Sequence, residues 1–319
     1  MMQSTGRISI ELKSLIAASY DECSSCKSKL PKDIAAYAGY TQHGEVIYVG
    51  ECCKDKISEL ASHIYWWWSA DKRPDLNIPL WRYMDFAKFV SLLQHKAIYF
   101  SRADMLGDKF EGASGIVERQ EEWDNFYLEF FREAIRTVPD GSGEKMLAVD
   151  VERQAQSLLQ SLRDAAQKDR ERYFVSCWHA GLEESEALWR LYCPPNTTGV
   201  VIKSNVSSLR SALGGTEYIE VGKVHYIDFR KNYAGIHDRI FHKRKNLSHE
   251  SEVRAVLDRP LIQEQQGVFM PADIRELIHA VVPSPFAPAW FSAVLEATMK
   301  QYEIDVPVER SELLSEPFF

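Results

Sequence analysis

Two groups of side chains have the types and spacing to do chemistry. The first is cysteine-based: Cys23-Ser-Ser-Cys26 is a CxxC, and Cys52-Cys53 follows the strand-like run GEVIYVGE. A CxxC puts two thiolates on one tight turn, and four ligands at about 2.3 Å close a tetrahedral zinc shell that leaves no position open for reaction. His43 or His63 is an alternative fourth ligand, and buried free thiols are the bland alternative. A redox CxxC fits less well, because no βαβ pattern surrounds it. The stretch 20–53 is too short and polar to bury a core alone, so a structural zinc is expected there. Cys177 and Cys193 stand isolated among aromatic residues, and core packing is expected for both.

The second group is charged. In Glu250-Ser251-Glu252-Val253-Arg254, period-two alternation along a strand would set Glu250, Glu252 and Arg254 on one face. Such a face is either a solvent-facing ladder of ion pairs or the wall of a cleft. Lys243, Arg244 and Lys245 precede it, a mixture of charges suited to gripping a phosphorylated ligand. Asp108-Lys109-Phe110-Glu111 adds two more carboxylates. Together, Asp108, Glu111, Glu250 and Glu252 would also suit Mg²⁺ in a nuclease or phosphodiesterase, although no histidine-rich metal motif accompanies them. His249 beside Glu250 is the histidine closest to this chemistry. The run Arg239–Lys245 (RIFHKRK) is expected as a solvated face. Trp189 and Tyr192 share a helix face, as core or as part of a ligand cage.

These residues need elements to position them. Strands are expected at Leu80–Asp85, Ala97–Ser101, Tyr173–Trp178, Gly199–Lys203, Tyr218–Ile227, Glu250–Leu257 and Ile278–Val282. Helices are expected at Lys54–Ala70, Phe86–Lys96, around Trp123–Ala134 and Met146–Leu162, at Ser185–Tyr192 capped by Ser185, and near Pro288–Tyr302. A turn, PDGSG at 139–143, separates the two middle helices. Irregular interleaving of strands and helices gives an α+β class with a mixed or antiparallel sheet, helices packed around it, and a small N-terminal zinc-stapled module. Residues 1–70 would form that module, 71–79 (polar, with two prolines) a linker, and 80–319 the main domain. The helix at 54–70 would use Trp66-Trp67-Trp68 to cement itself to that domain. Successive side chains on a helix point about 100° apart, so the three cannot form one stacking surface.

At 319 residues and a net charge of −8, the chain is not tuned for general nucleic-acid or anionic-membrane binding. It holds no run near the roughly 20 apolar residues of a membrane span and no secretory signal pattern. A reducing cytoplasm is therefore expected, where clustered cysteines favour metal.

From residue 80 onward the chain resembles the bacterial DUF2971 family. The matching blocks are Leu80-Trp81-Arg82-Tyr83, Ile98-Tyr99-Phe100-Ser101, Gly107–Gly112, Val175-Ser176-Cys177-Trp178, Leu188–Tyr192, Thr198–Ile202 and Glu250–Arg254. The departures are Gly107, where the family usually has Asn, and Lys109, where it has Pro. A strand with Arg82, a helix, a strand with Tyr99 and Ser101, and a late Glu250-x-Glu252 are also similar to the skeleton of ADP-ribosyltransferases. That similarity implies a split sheet and NAD as substrate. Arg82 would anchor the dinucleotide, Tyr99 and Ser101 (or Ser176) would shape the nicotinamide pocket, and Glu252 with Glu250 would act at the ribose. Arg254, Asp108, Glu111, Trp189 and Tyr192 would complete the cleft, and a protein or nucleic acid would be the acceptor. A non-enzymatic zinc-containing binding module is the further alternative. Glu252→Ala is expected to leave the fold intact.

Overall fold

A computed structural model describes residues 22–29, 36–40, 46–56, 63–66, 74–137, 147–194, 197–214, 219–234, 239–258 and 265–319. The chain divides into two compact units, each discontinuous in sequence. Met1–Arg73, Phe110–Arg170 and Ile227–His242 make the first; Pro74–Lys109, Glu171–Tyr226 and Lys243–Phe319 make the second. The expected break near 71–79 coincides with a segment end. The expected continuous domain 80–319 is interrupted, because 110–170 carries a helical pair with its own apolar core.

In the first unit, β1 (Ala36–Tyr40), β2 (Val46–Gly50) and β3 (His63–Trp66) form an antiparallel sheet in the order β2-β1-β3. This corrects the helix expected over Lys54–Ala70. Glu51–Lys56 is a 3₁₀ turn and His63–Trp66 pairs with β1. The β-branched and aromatic run His-Ile-Tyr-Trp fits a pleated strand better than a helix. Trp67, Trp68, His43 and the PDGSG turn lie outside the described residues.

The chain then runs through β4 (Pro79–Asp85), α1 (Phe86–His95), β5 (Ala97–Arg102), α2 (Gln120–Thr137), α3 (Ala148–Arg172) and β6 (Tyr173–Ala180). It continues with α4 (Glu186–Tyr192), β7 (Gly199–Asn205), α5 (Val206–Ala212), β8 (Ile219–Lys223), β9 (His225–Ile227), β10 (His242–Arg244) and β11 (Glu252–Asp258). Last come β12 (Gly267–Pro271), α6 (Ile274–Leu277), β13 (Ala280–Pro283) and α7 (Phe291–Gln301). In the first unit, α2 and α3 bury Tyr127, Leu128, Ala155 and Leu159 against one another. The 3.6-residue apolar period in both segments is what permits this. No helix among the described residues is long and apolar enough to cross a membrane.

The second unit is built on an eight-stranded sheet whose pairings are antiparallel. Its order is β12-β5-β6-β4-β7-β13, with β11 on β6 and β8 on β11. Leu80, Phe89, Ile98, Phe100, Trp178, Ile202 and Val253 anchor the main core beneath one face. Trp81, Tyr83, Leu188 and Trp189 pack on the other, under α4. The caps are those the sequence offers: Asp85 accepts from the Lys88 N–H to start α1, and Ser185 accepts from the Leu188 N–H to start α4.

One irregularity opens the sheet. β11 pairs with β6 along the whole register from Tyr173 to His179. The opposite edge of β6 is shared: Phe174 and Val175 pair with β5, whereas His179 and Ala180 pair with β4. Between them, Ser176–Trp178 have no ladder partner on that edge among the described residues, so β4 and β5 splay apart. The sheet is split at its centre.

Candidate functional site

Period-two alternation assigns the polar residues around the split to two faces. Arg82 and Ser176 leave their strands on the face of Leu80, Met84, Phe174 and Trp178. By register, Tyr99, Ser101, Cys177, His179, Glu252 and Arg254 belong to the opposite face. The split lets members of both sets line one cavity of about 420 Å³, among them Arg82, Tyr99, Ser101, Tyr192, Glu250 and Glu252. Its size lies in the range of small-molecule sites, about 300–1,000 Å³.

Arg82 spans the gap. Its Nη1 donates to Ser176 Oγ at 2.7 Å and its Nη2 to the Tyr99 carbonyl at 3.0 Å, with the guanidinium carbon 5.3 Å from the Trp178 ring centroid. These contacts fix the side chain without neutralising it. No carboxylate among the described residues lies within ion-pair distance of Arg82. Loss of water around it pushes its pKa down to about 10, which leaves it a cation at neutral pH.

The acidic wall is a buried network. Glu252 accepts from Arg254 Nε at 2.8 Å and from Lys243 Nζ at 3.3 Å, and Lys243 also pairs with Glu250. Arg254 is fully buried, and Lys243 and Glu252 nearly so. Burial penalises the Glu252 charge, but Arg254 and Lys243 outweigh it and hold the carboxyl below its ordinary range. Glu250 moves the other way: burial pushes it up, Glu252 adds repulsion, and Lys243 offsets only part of this. Two carboxyls driven apart by their surroundings are the usual basis for dividing roles between an ionised and a protonatable group.

The even alternation expected across Glu250–Arg254 fails at one residue. Glu250 ends a 3₁₀ turn and Ser251 is left-handed (φ 43°), so β11 starts only at Glu252. The turn nonetheless returns Glu250 to Lys243, and the Glu250 carbonyl lies 2.8 Å from His179 Nδ1.

Other expected site residues are placed elsewhere. Ser176 is buried behind Arg82, and Arg254 lies behind Glu252. Trp189 is core, packed edge-on against Tyr83 with its Nε1 donating to Glu184 at 2.7 Å. Asp108 pairs with Arg244 at 2.7 Å, and Glu111 is buried in the first unit; neither lines the cavity. His249 is exposed, and the basic run Arg239–Lys245 is no solvated face, since Arg239 and Lys243 are both buried and paired with acids. Sequence reasoning missed His179, Cys177, Lys88 and Phe269 as lining residues. Cys177, expected in the core, lines the cavity, while Cys193 is buried and its thiol is pushed up to about 12 by burial. Position on the β6 block was the available signal: Cys177 and His179 alternate with Ser176 and Trp178.

In the first unit, the Sγ atoms of Cys23, Cys26, Cys52 and Cys53 all lie within 4.8 Å of one another, and those of Cys26 and Cys52 are 3.5 Å apart. A tetrahedral S₄ shell with Zn–S near 2.3 Å has edges of roughly 3.8 Å. The first pair sits on a turn closed by Lys27 N–H to Cys23 O at 2.9 Å, with Lys27 left-handed (φ 61°). The second pair sits on the 3₁₀ turn that ends β2. Hydrogen bonds from the Ser28 side chain and backbone, then from Cys52, hold the Cys26 thiol down to about 6. The four cysteines can therefore hold a metal ion. No family model matches the chain, and no curated protein matches it significantly.

Proposed function

We propose that the second unit binds NAD and cleaves the bond between nicotinamide and ribose, transferring ADP-ribose to an acceptor in the manner of ADP-ribosyltransferases. The carrying observation is the split sheet: an Arg82 cation with no carboxylate partner among the described residues lines the same cavity as a tuned pair of glutamates. Arg82 would offset the pyrophosphate. The bond from C1′ to the ring nitrogen breaks with its electron pair going to nicotinamide, which leaves neutral and needs no general acid. Positive charge builds on the ribose, where the ionised Glu252 lowers its energy. The acceptor's lone pair then forms the new bond to C1′, and its proton passes to Glu250 or to water. The acceptor is a protein, a nucleic acid or water.

The same geometry weakens a metal-dependent nuclease reading. One cation, Lys243, already stands between Glu250 and Glu252, and among the described residues the only group of metal-ligating side chains is the cysteine cluster. The four cysteines fit a structural zinc, and six cysteines outside any disulfide fit a reducing cytoplasm.

Nicotinamide release from NAD tests the reading. Release by wild type is expected, with KM raised about tenfold or more in Arg82→Met and turnover lowered on the order of a hundredfold in Glu250→Gln. A folded wild-type protein that neither binds NAD nor releases nicotinamide would end the proposal.

A further inference from the structure

A second cavity, of about 450 Å³, lies wholly within the first unit. The loop Gly112–Gly115, the start of α2, the second half of α3, Tyr233 and Arg239 line it. Its lining includes the apolar side chains of Trp123, Leu162 and Ile116 and three arginines, Arg163, Arg170 and Arg239. Two of these charges are matched: Arg163 pairs with Asp124, and Arg239 with Asp169. Arg170 has no ion-pair partner among the described residues.

The unusual feature lies at the Nε positions. Nε of Arg170 and Nε of Arg239 are both buried and have no hydrogen-bond acceptor, and Arg239 is only 2% exposed. A buried guanidinium N–H without an acceptor bears its desolvation penalty, but neither Nε has surface that a ligand could touch, so the reachable group is the terminal end of Arg170, whose charge is unmatched. The N-terminus of α2 is not counted as part of the site, because Glu121 and Glu122 already occupy its first turn. Gly112 helps to place Arg170. It is left-handed (φ 69°), and a Cβ there would come within 3.1 Å of Arg170 Cγ, so the loop packs directly on the arginine stem.

We propose that this cavity binds a small phosphorylated ligand. Its phosphate would accept hydrogen bonds from the terminal N–H groups of Arg170, and its body would lie on Trp123 and Tyr233, whose ring centroids are 5.0 Å apart. Phosphate suits the site better than carboxylate, because a doubly charged anion balances the unmatched Arg170 guanidinium more strongly and offers it more acceptor oxygens.

Calorimetric titration with phenyl phosphate, inorganic phosphate and benzoate tests this on the full chain. Phenyl phosphate is expected to bind more tightly than inorganic phosphate, because it adds the ring, and more tightly than benzoate. Arg170→Met is expected to weaken phenyl phosphate binding about tenfold or more. Arg82→Met, which alters the other cavity, is expected to leave it unchanged, so this result is separable from the NAD reading. Because Arg239→Met breaks the Asp169 pair and risks the fold, Arg170 is the deciding position. No binding of either phosphate at millimolar concentration, full binding by folded Arg170→Met, or loss only in Arg82→Met would each overturn the proposal.

Discussion

At the scale of single residues, Glu252 has two duties, and they conflict with the simplest expectation for its removal. The carboxylate lies between Arg254 and Lys243, so deleting it leaves two buried cations short of an acceptor. Glu252→Gln is therefore expected to cost about 3–5 kcal/mol of stability, measurable in urea unfolding, rather than leave the fold intact. Its pH dependence has a definite sign. The folded-state pKa of Glu252 lies below the ordinary 4.5, so its contribution is present above that value and lost as pH falls through the folded one. Glu250 is raised, so it contributes below 4.5 and that contribution is lost as pH rises through its folded value. Wild type should thus lose stability steeply below pH 4.5, and Glu252→Gln should show a flatter acid limb. Equal slopes would mean the network is not what holds this corner. The pairing of Glu252 with Arg254 was legible, because residues two apart on a strand share a face. Lys243 was not, since nothing in RIFHKRK says which lysine will be buried. Glu250 was misplaced by one left-handed Ser251.

At the scale of elements, β4, α1, β5, β6, α4, β7 and α7 follow from apolar period and caps close to where the sequence puts them. What the sequence hides is pairing: the split depends on β4 and β5 meeting different halves of one β6 edge, a long-range fact with no local pattern. The strand β12 was missed altogether, being short and bounded by a polar run. It matters for the site, because Gly267 sits opposite Ser101 and lets the Tyr99 ring close over it. A Cβ at Gly267 would lie 2.2 Å from Tyr99 Cζ and 2.6 Å from the Phe100 carbonyl. Gly267→Ala is expected to cost about 1–3 kcal/mol and to push Tyr99 off the cavity wall, weakening NAD binding. Gly107→Ala, where a Cβ meets nothing within 4 Å, is the control and should stay within about 0.5 kcal/mol of wild type. If both variants bind NAD like wild type, Tyr99 does not shape the pocket.

At the scale of the whole molecule, the two units have different sources of stability. The second has a large continuous core around its sheet. The N-terminal sheet of the first has three short strands beside four clustered thiols, and a segment of that size needs a staple. If zinc supplies it, metal binding and folding of that segment are one equilibrium. Unfolding should then proceed in more than one step, since separate units need not melt together. A strong chelator should lower only the transition that reports on the cysteine-bearing segment, and elemental analysis should find about one zinc per chain beforehand, lost in the Cys23→Ser, Cys26→Ser double variant. None of the four cysteines lines the Arg82 cavity, so on the proposed function nicotinamide release should survive chelation. Release that falls to background on metal removal and returns with Mg²⁺ would instead put a metal in the reaction itself, and would move the chemistry from the Arg82 cation to the carboxylates.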